Sequence, residues 1–156
     1  MKGLVIIIAI ILAVVQLSAI PRMPGVGSVL NVLMPFLLVV AWYSPLWGII
    51  TALCVGFFEL PYNSGTLSLV VLSFSVPSLV VALGRYATPS LHPHHRPFPY
   101  FLHNALGALA VLLFMGFRIA AGGTFHAITI LIQASSMVLI FHILTWLLQR
   151  FYVKNI

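Results

Sequence analysis

The chain has 156 residues, 62% of them hydrophobic and 5% charged, with a mean hydropathy of +1.19. So few charged groups cannot cover a water-facing surface, which excludes a soluble globular domain. The formal charge of +6 comes from seven Lys and Arg against one acidic residue. These cations are scattered at the ends of apolar runs, as snorkelling anchors and topology signals, and form no basic stripe for nucleic acid.

The apolar runs predict an all-α, polytopic integral membrane protein with a single transmembrane domain over 1–156. About six helices are expected, at roughly 3–20, 28–43, 46–60, 66–86, 99–121 and 124–149. The first has Lys2 ahead of its apolar run, as a signal peptide would. It lacks a small-x-small cleavage site and Gln16 interrupts its far end, so it reads as a retained helix. Ala9 and Ala13, four residues apart, give it a face that another helix can approach closely.

The second and third runs are short for a hydrocarbon core of about 30 Å, so tilted, re-entrant or half-spanning helices are open to them. Pro35 is expected to kink the second and Pro77 the fourth. On the third, Gly48, Ala52 and Gly56 recur every four residues, a stripe that predicts a helix-packing face. The lone Cys54 in the same run fits a small packing residue. One turn past Gly56 stands Glu59, the single acidic side chain of the protein. A carboxylate near hydrocarbon depth needs a partner, water or a function, which makes Glu59 the natural centre of a site.

The stretch Thr88–Pro99 holds four prolines together with His92, His94 and His95. It is expected to be an extended connector that no helix enters, joining the two halves of the protein. A metal site there would want a carboxylate or cysteine as well, and Glu59 is expected on the other side of the membrane. A solvated cationic loop is the better reading, with no metal and no cofactor. His103, His126 and His142 stand isolated on the later helices, as packing or interface residues. Ser135 and His142 share a helix face, but two turns (about 10 Å) separate them, too far for a nucleophile and its base. No hydrolase, metalloprotease, aspartyl or phosphate-loop motif is present, so a non-enzymatic protein is expected.

Loop charges set the orientation. With six spans and both termini cytoplasmic, Lys2, Arg85, Arg96, Arg150 and Lys154 fall inside, and Arg22 and Arg118 at the outer edge, as the positive-inside rule asks. Four or five spans would scatter them. Glu59 then lies near the outer end of the third helix.

The run Leu46-Trp47-Gly48-Ile49-Ile50-Thr51-Ala52-Leu53-Cys54-Val55-Gly56-Phe57-Phe58-Glu59, followed by Gly65-Thr66-Leu67, resembles the central signature of the rod shape-determining protein MreD family. Gln16 late in the first helix and Asn31-Val32-Leu33-Met34-Pro35 at the start of the second also match that pattern. The likeness covers roughly residues 1–86; the family's usual Asp is here Glu59, in a shifted register. The resemblance implies a non-enzymatic subunit of the bacterial cell-wall elongation machinery in the inner membrane. It also implies an MreC-like bitopic partner, with RodA and a class B penicillin-binding protein nearby. Glu59, Gly48, Ala52, Gly56, Gly65, Ala9, Ala13 and Gln16 are then the candidate partner-binding or packing residues. The implied fold is similar to the substrate-binding subunits of energy-coupling-factor vitamin transporters. That similarity supplies the alternative, in which the Ala9/Ala13 face docks a transmembrane coupling subunit.

Overall fold

The computed structural model describes residues 2–18, 31–62, 66–87, 97–120 and 127–152. Gly65, Arg22, Arg96 and the histidines at 92, 94, 95 and 126 lie outside the described residues. In chain order the elements are α1 (Lys2–Ser18), α2 (Leu33–Tyr43), α3 (Pro45–Glu59), a 3-10 turn (Leu60–Tyr62), α4 (Leu67–Ala87), α5 (Pro97–Ala120) and α6 (Ala127–Tyr152). The protein is an all-α, multi-pass membrane protein. Four stretches, Pro45–Tyr62, Leu67–Tyr86, His103–Ala120 and Ile128–Leu148, are long and apolar enough to cross a bilayer, and Gly3–Ser18 and Leu33–Tyr43 are shorter.

The shortest helix is the centre. α2 has 11 residues, eight of them buried, and it packs against α1, α3, α4, α5 and α6. Its sequence explains this, because Leu-Met-Pro-Phe-Leu-Leu-Val-Val-Ala-Trp is apolar on every side, the pattern of a helix enclosed by others. At 1.5 Å per residue it reaches only about 16 Å, half of a hydrocarbon core. The longer helices do the crossing and α2 fills the space between them. α1 sorts its residues as a two-faced helix: Ala9 and Ala13 are fully buried, while Leu4, Ile7, Ile11 and Val14 are exposed.

Single residues set the tightest contacts. Only Ser44 separates α2 from α3, and Pro45 opens α3, where a missing donor costs nothing. The chain folds back so sharply that a Cβ on Gly48 would fall inside the Ala41 backbone. One on Gly56 would lie 3.0 Å from Val71 Cα of α4. With Ala52 fully buried between them, the stripe lies against α2 at one end and α4 at the other.

Two proline expectations are corrected. α2 starts at Leu33, so Pro35 sits in its first turn, where no intrahelical donor is required, and does not interrupt the helix interior. α5 starts at Pro97, so the last three residues of the expected non-helical connector are helical. Prolines at the first and third positions lack only N–H groups that a helix start leaves unpaired. Pro77 does lie inside α4. The sixth helix runs on to Tyr152, three residues beyond its expected end. Trp42, near the carboxyl end of α2, is buried.

Two alanine substitutions should separate close approach from helix propensity. Gly116 in α5 has open space around its Cα, so Gly116→Ala should be neutral or stabilising, by up to about 1 kcal/mol. Gly48→Ala meets backbone that cannot rotate away and should cost about 1–3 kcal/mol. Unfolding midpoints in detergent, measured side by side, check the difference in sign.

Candidate functional site

Glu59 is the last residue of α3 and is 3% exposed. Its Oε2 accepts a hydrogen bond from Arg118 Nη1 at 3.4 Å, an ion pair that ties the end of α3 to the last turn of α5. The two partners are unequal, since the arginine side chain is 25% exposed and the carboxylate 4%. The long guanidinium stem reaches toward water, and the carboxylate cannot. The pair borders a cavity of about 210 Å³, into which Gln16 of α1, Asn31 ahead of α2 and Gln133 of α6 also project. Phe74, Phe114 and Met115 supply much of its apolar wall.

The amides have a structural reason to be there. α2 begins within the bundle, where its first N–H groups would be costly to leave unpaired. Asn31 Oδ1 accepts from the Met34 N–H at 3.1 Å, and Gln16 Oε1 accepts from the Val32 N–H at 3.1 Å. The second bond crosses from α1 and fixes α1 to the amino end of α2. Gln133 Oε1 is buried with no hydrogen-bond partner among the described residues, a rare condition for a buried polar atom.

A second polar cluster lies toward the other end of α5. His103 and Arg118 are fifteen residues apart on that helix, about 22 Å. The His103 ring packs edge-on to Trp42 and stacks on Phe141, with centroids 4.4 and 4.6 Å away. Thr145 gives its hydroxyl proton to the Phe141 carbonyl at 2.8 Å, so His103 Nε2 donates to Thr145 Oγ1 at 3.2 Å. Arg85 lies 5.8 Å from the Trp42 ring centroid, a cation–π contact. His142 pairs instead with Asn104, Nδ1 to Oδ1 at 3.1 Å, on an exposed face.

The expected site residues therefore divide. Glu59 and Gln16 meet at one cavity. Gly48, Ala52, Gly56, Ala9 and Ala13 are buried in helix contacts away from it, and Gly65 lies outside the described residues. Glu59 was expected to need a partner, water or a function, and Arg118 of the same chain is such a partner. Its signal was present, since both residues were placed at the outer edge. Asn31 and Gln133 were missed, because a lone amide in an apolar run does not reveal which cavity it enters. Cys54 is a free, partly buried thiol on α3. Among the described residues no group of three or more His, Cys, Asp or Glu side chains could hold a metal ion. The chain has no significant match among protein-family models, curated proteins or solved structures.

The asymmetry of burial predicts an asymmetry of effect. Arg118→Leu removes the cation that faces a buried carboxylate and should cost about 3 kcal/mol, whereas Glu59→Gln leaves a partly exposed arginine and should cost less. Adding Glu59→Gln to Arg118→Leu should restore about 1 kcal/mol or more. Gln16→Leu, which uncaps Val32, should cost about 1 kcal/mol. Reversible unfolding in detergent, with the Glu59 and Arg118 variants as a double-mutant cycle and Gln16→Leu beside them, checks all three.

Proposed function

We propose that the chain is a non-enzymatic subunit of the bacterial cell-wall elongation and rod-shape machinery, scaffolding an MreC-like bitopic partner in the inner membrane. The observation that carries this reading is the use made of Glu59, the residue on which the MreD resemblance centres. Its carboxylate is engaged by Arg118 and buried, so it holds the ends of α3 and α5 in register. A carboxylate held in this way shapes a surface for other proteins. Its small-residue neighbours act in the same sense, by drawing α2, α3 and α4 close together.

The alternative is the substrate-binding subunit of an energy-coupling-factor vitamin transporter. One observation favours it, the convergence of Gln16, Asn31, Glu59, Arg118 and Gln133 on a cavity at the expected outer end. Two weigh against it. The cavity holds about 210 Å³, below the roughly 300–1,000 Å³ of sites for drug-sized ligands. Ala9 and Ala13, the face that would dock the coupling subunit, are covered by the chain's own helices.

A tagged copy, solubilised gently from native membranes, should bring down a bitopic coiled-coil protein with wall-synthesis enzymes, identified by mass spectrometry. Arg118→Leu should reduce that recovery several-fold. A coupling subunit with two ATPases in the eluate would overturn the scaffold reading and support the transporter.

A further inference from the structure

We propose that a second copy of this chain packs on the outward face of α6, the two α6 helices running parallel about a two-fold axis along the membrane normal. α6 is the least covered of the spanning helices. Seventeen per cent of its Ile128–Leu148 window is buried, against 33% to 39% in the other three. Its exposed residues Ile128, Ile132, Ser135, Leu139, His142 and Trp146 follow one another at spacings of four and three. Any outward helix face shows that rhythm, and lipid alone would satisfy it if every member were apolar. Ser135 and His142 are the exception. Both lie within the spanning window, and hydrocarbon offers a hydroxyl or an imidazole nothing to bond.

Neither residue is fully satisfied among the described residues. Among the described residues Ser135 Oγ has no hydrogen-bond partner, and His142 is held through Nδ1 only, by Asn104. Beside them runs a groove between α5 and α6 of about 600 Å³, floored by Ala108 and Ala134. Such small side chains let a neighbouring helix come close.

The chemistry favours a like partner. Parallel helices related by a two-fold axis place each seam residue opposite its own mate at equal depth. That arrangement would be repulsive for a charged residue. Serine and neutral histidine each carry both a donor and an acceptor, so each can bond its mate. One imidazole must then carry its proton on Nε2 and the other on Nδ1. The Asn104 amide serves both forms, since turned one way it accepts from Nδ1 and turned the other way it donates to it. The heptad spacing of the two polar residues fixes the register, as buried polar residues do in coiled coils. This inference is independent of the scaffold reading.

The test is oxidative cross-linking in native membranes, in a Cys54→Ala background, with one cysteine introduced at a time. Ile132→Cys and Leu139→Cys should give a disulfide dimer at least about ten-fold more abundant than Ile7→Cys or Ile11→Cys, which are equally lipid-facing on α1. Ser135→Ala and His142→Ala should each leave folding intact and lower the dimer constant about three- to twenty-fold, the range for interhelical hydrogen bonds in membranes. Equal yields at α1 and α6, unchanged dimerisation in both alanine variants, or cross-linking of Leu139→Cys to a different protein would each overturn the proposal.

Discussion

The rest of the structure depends on one constraint: a helix too short to cross the membrane is enclosed at the centre of the bundle. α2 is apolar on all sides, and its burial supplies much of the core. Leu33, Met34, Leu37 and Leu38 are fully buried in one cluster with Ala9, Ala13, Val55 and Phe141. Its termini consequently lie where bilayer helices do not ordinarily end. Unpaired N–H groups there cost several kcal/mol each, so two amides are brought to them, Asn31 from the approach and Gln16 from α1. Once those amides and the end of α3 share one region, a polar cavity follows. The Glu59–Arg118 pair is set into an interior already made polar by the start of α2.

The pair itself is better understood as a constraint than as a source of stability. Taking two charges out of water costs several kcal/mol per ion, and the attraction offsets this only when geometry is good. Here an N–O contact of 3.4 Å joins residues fifty-nine apart in sequence. Its main effect is to specify which end of α5 meets which end of α3. The opposite end uses a softer device, with Arg85 over Trp42 and His103 held between Trp42, Phe141 and Thr145. Between these ends the hydroxyls of Ser73 and Ser75 donate to carbonyls of their own helix. That keeps polar side chains compatible with an apolar setting.

The all-helical, multi-pass architecture was legible because long apolar runs have few other solutions. The helix starts were less so. A proline in a loop, in a first turn and in a helix interior look alike until the first helical residue is known, which is why Pro35 and Pro97 were assigned the wrong roles. The apolar character of α2 on every side was legible as composition, but a half-spanning peripheral helix would read the same way. For the site, the sequence singled out Glu59 because carboxylates are expensive in hydrocarbon. It did not select Arg118 as the partner, because a contact between residues so far apart depends on how α3 and α5 are arranged around α2. Gln133 gives no local pattern, and the run that begins at Asn31 does not show that its amide enters the same cavity as Glu59.

Where the small residues went bears on how assembly should be sought. Ala9, Ala13, Gly48, Ala52 and Gly56 form the close-packing patterns that often mark helix association, yet all are buried against the chain's own helices. Gly107 is likewise occupied, by the Phe141 ring. The small-residue stripes are therefore consumed in forming the fold, and what remains outward is mostly Leu and Ile, which lipid solvates well. Outward polarity is then the more discriminating guide, because a hydroxyl or imidazole facing hydrocarbon is unfavourable unless something meets it. On this chain that criterion moves attention from the first and third helices, where the sequence patterns are strongest, to α6, where they are weakest.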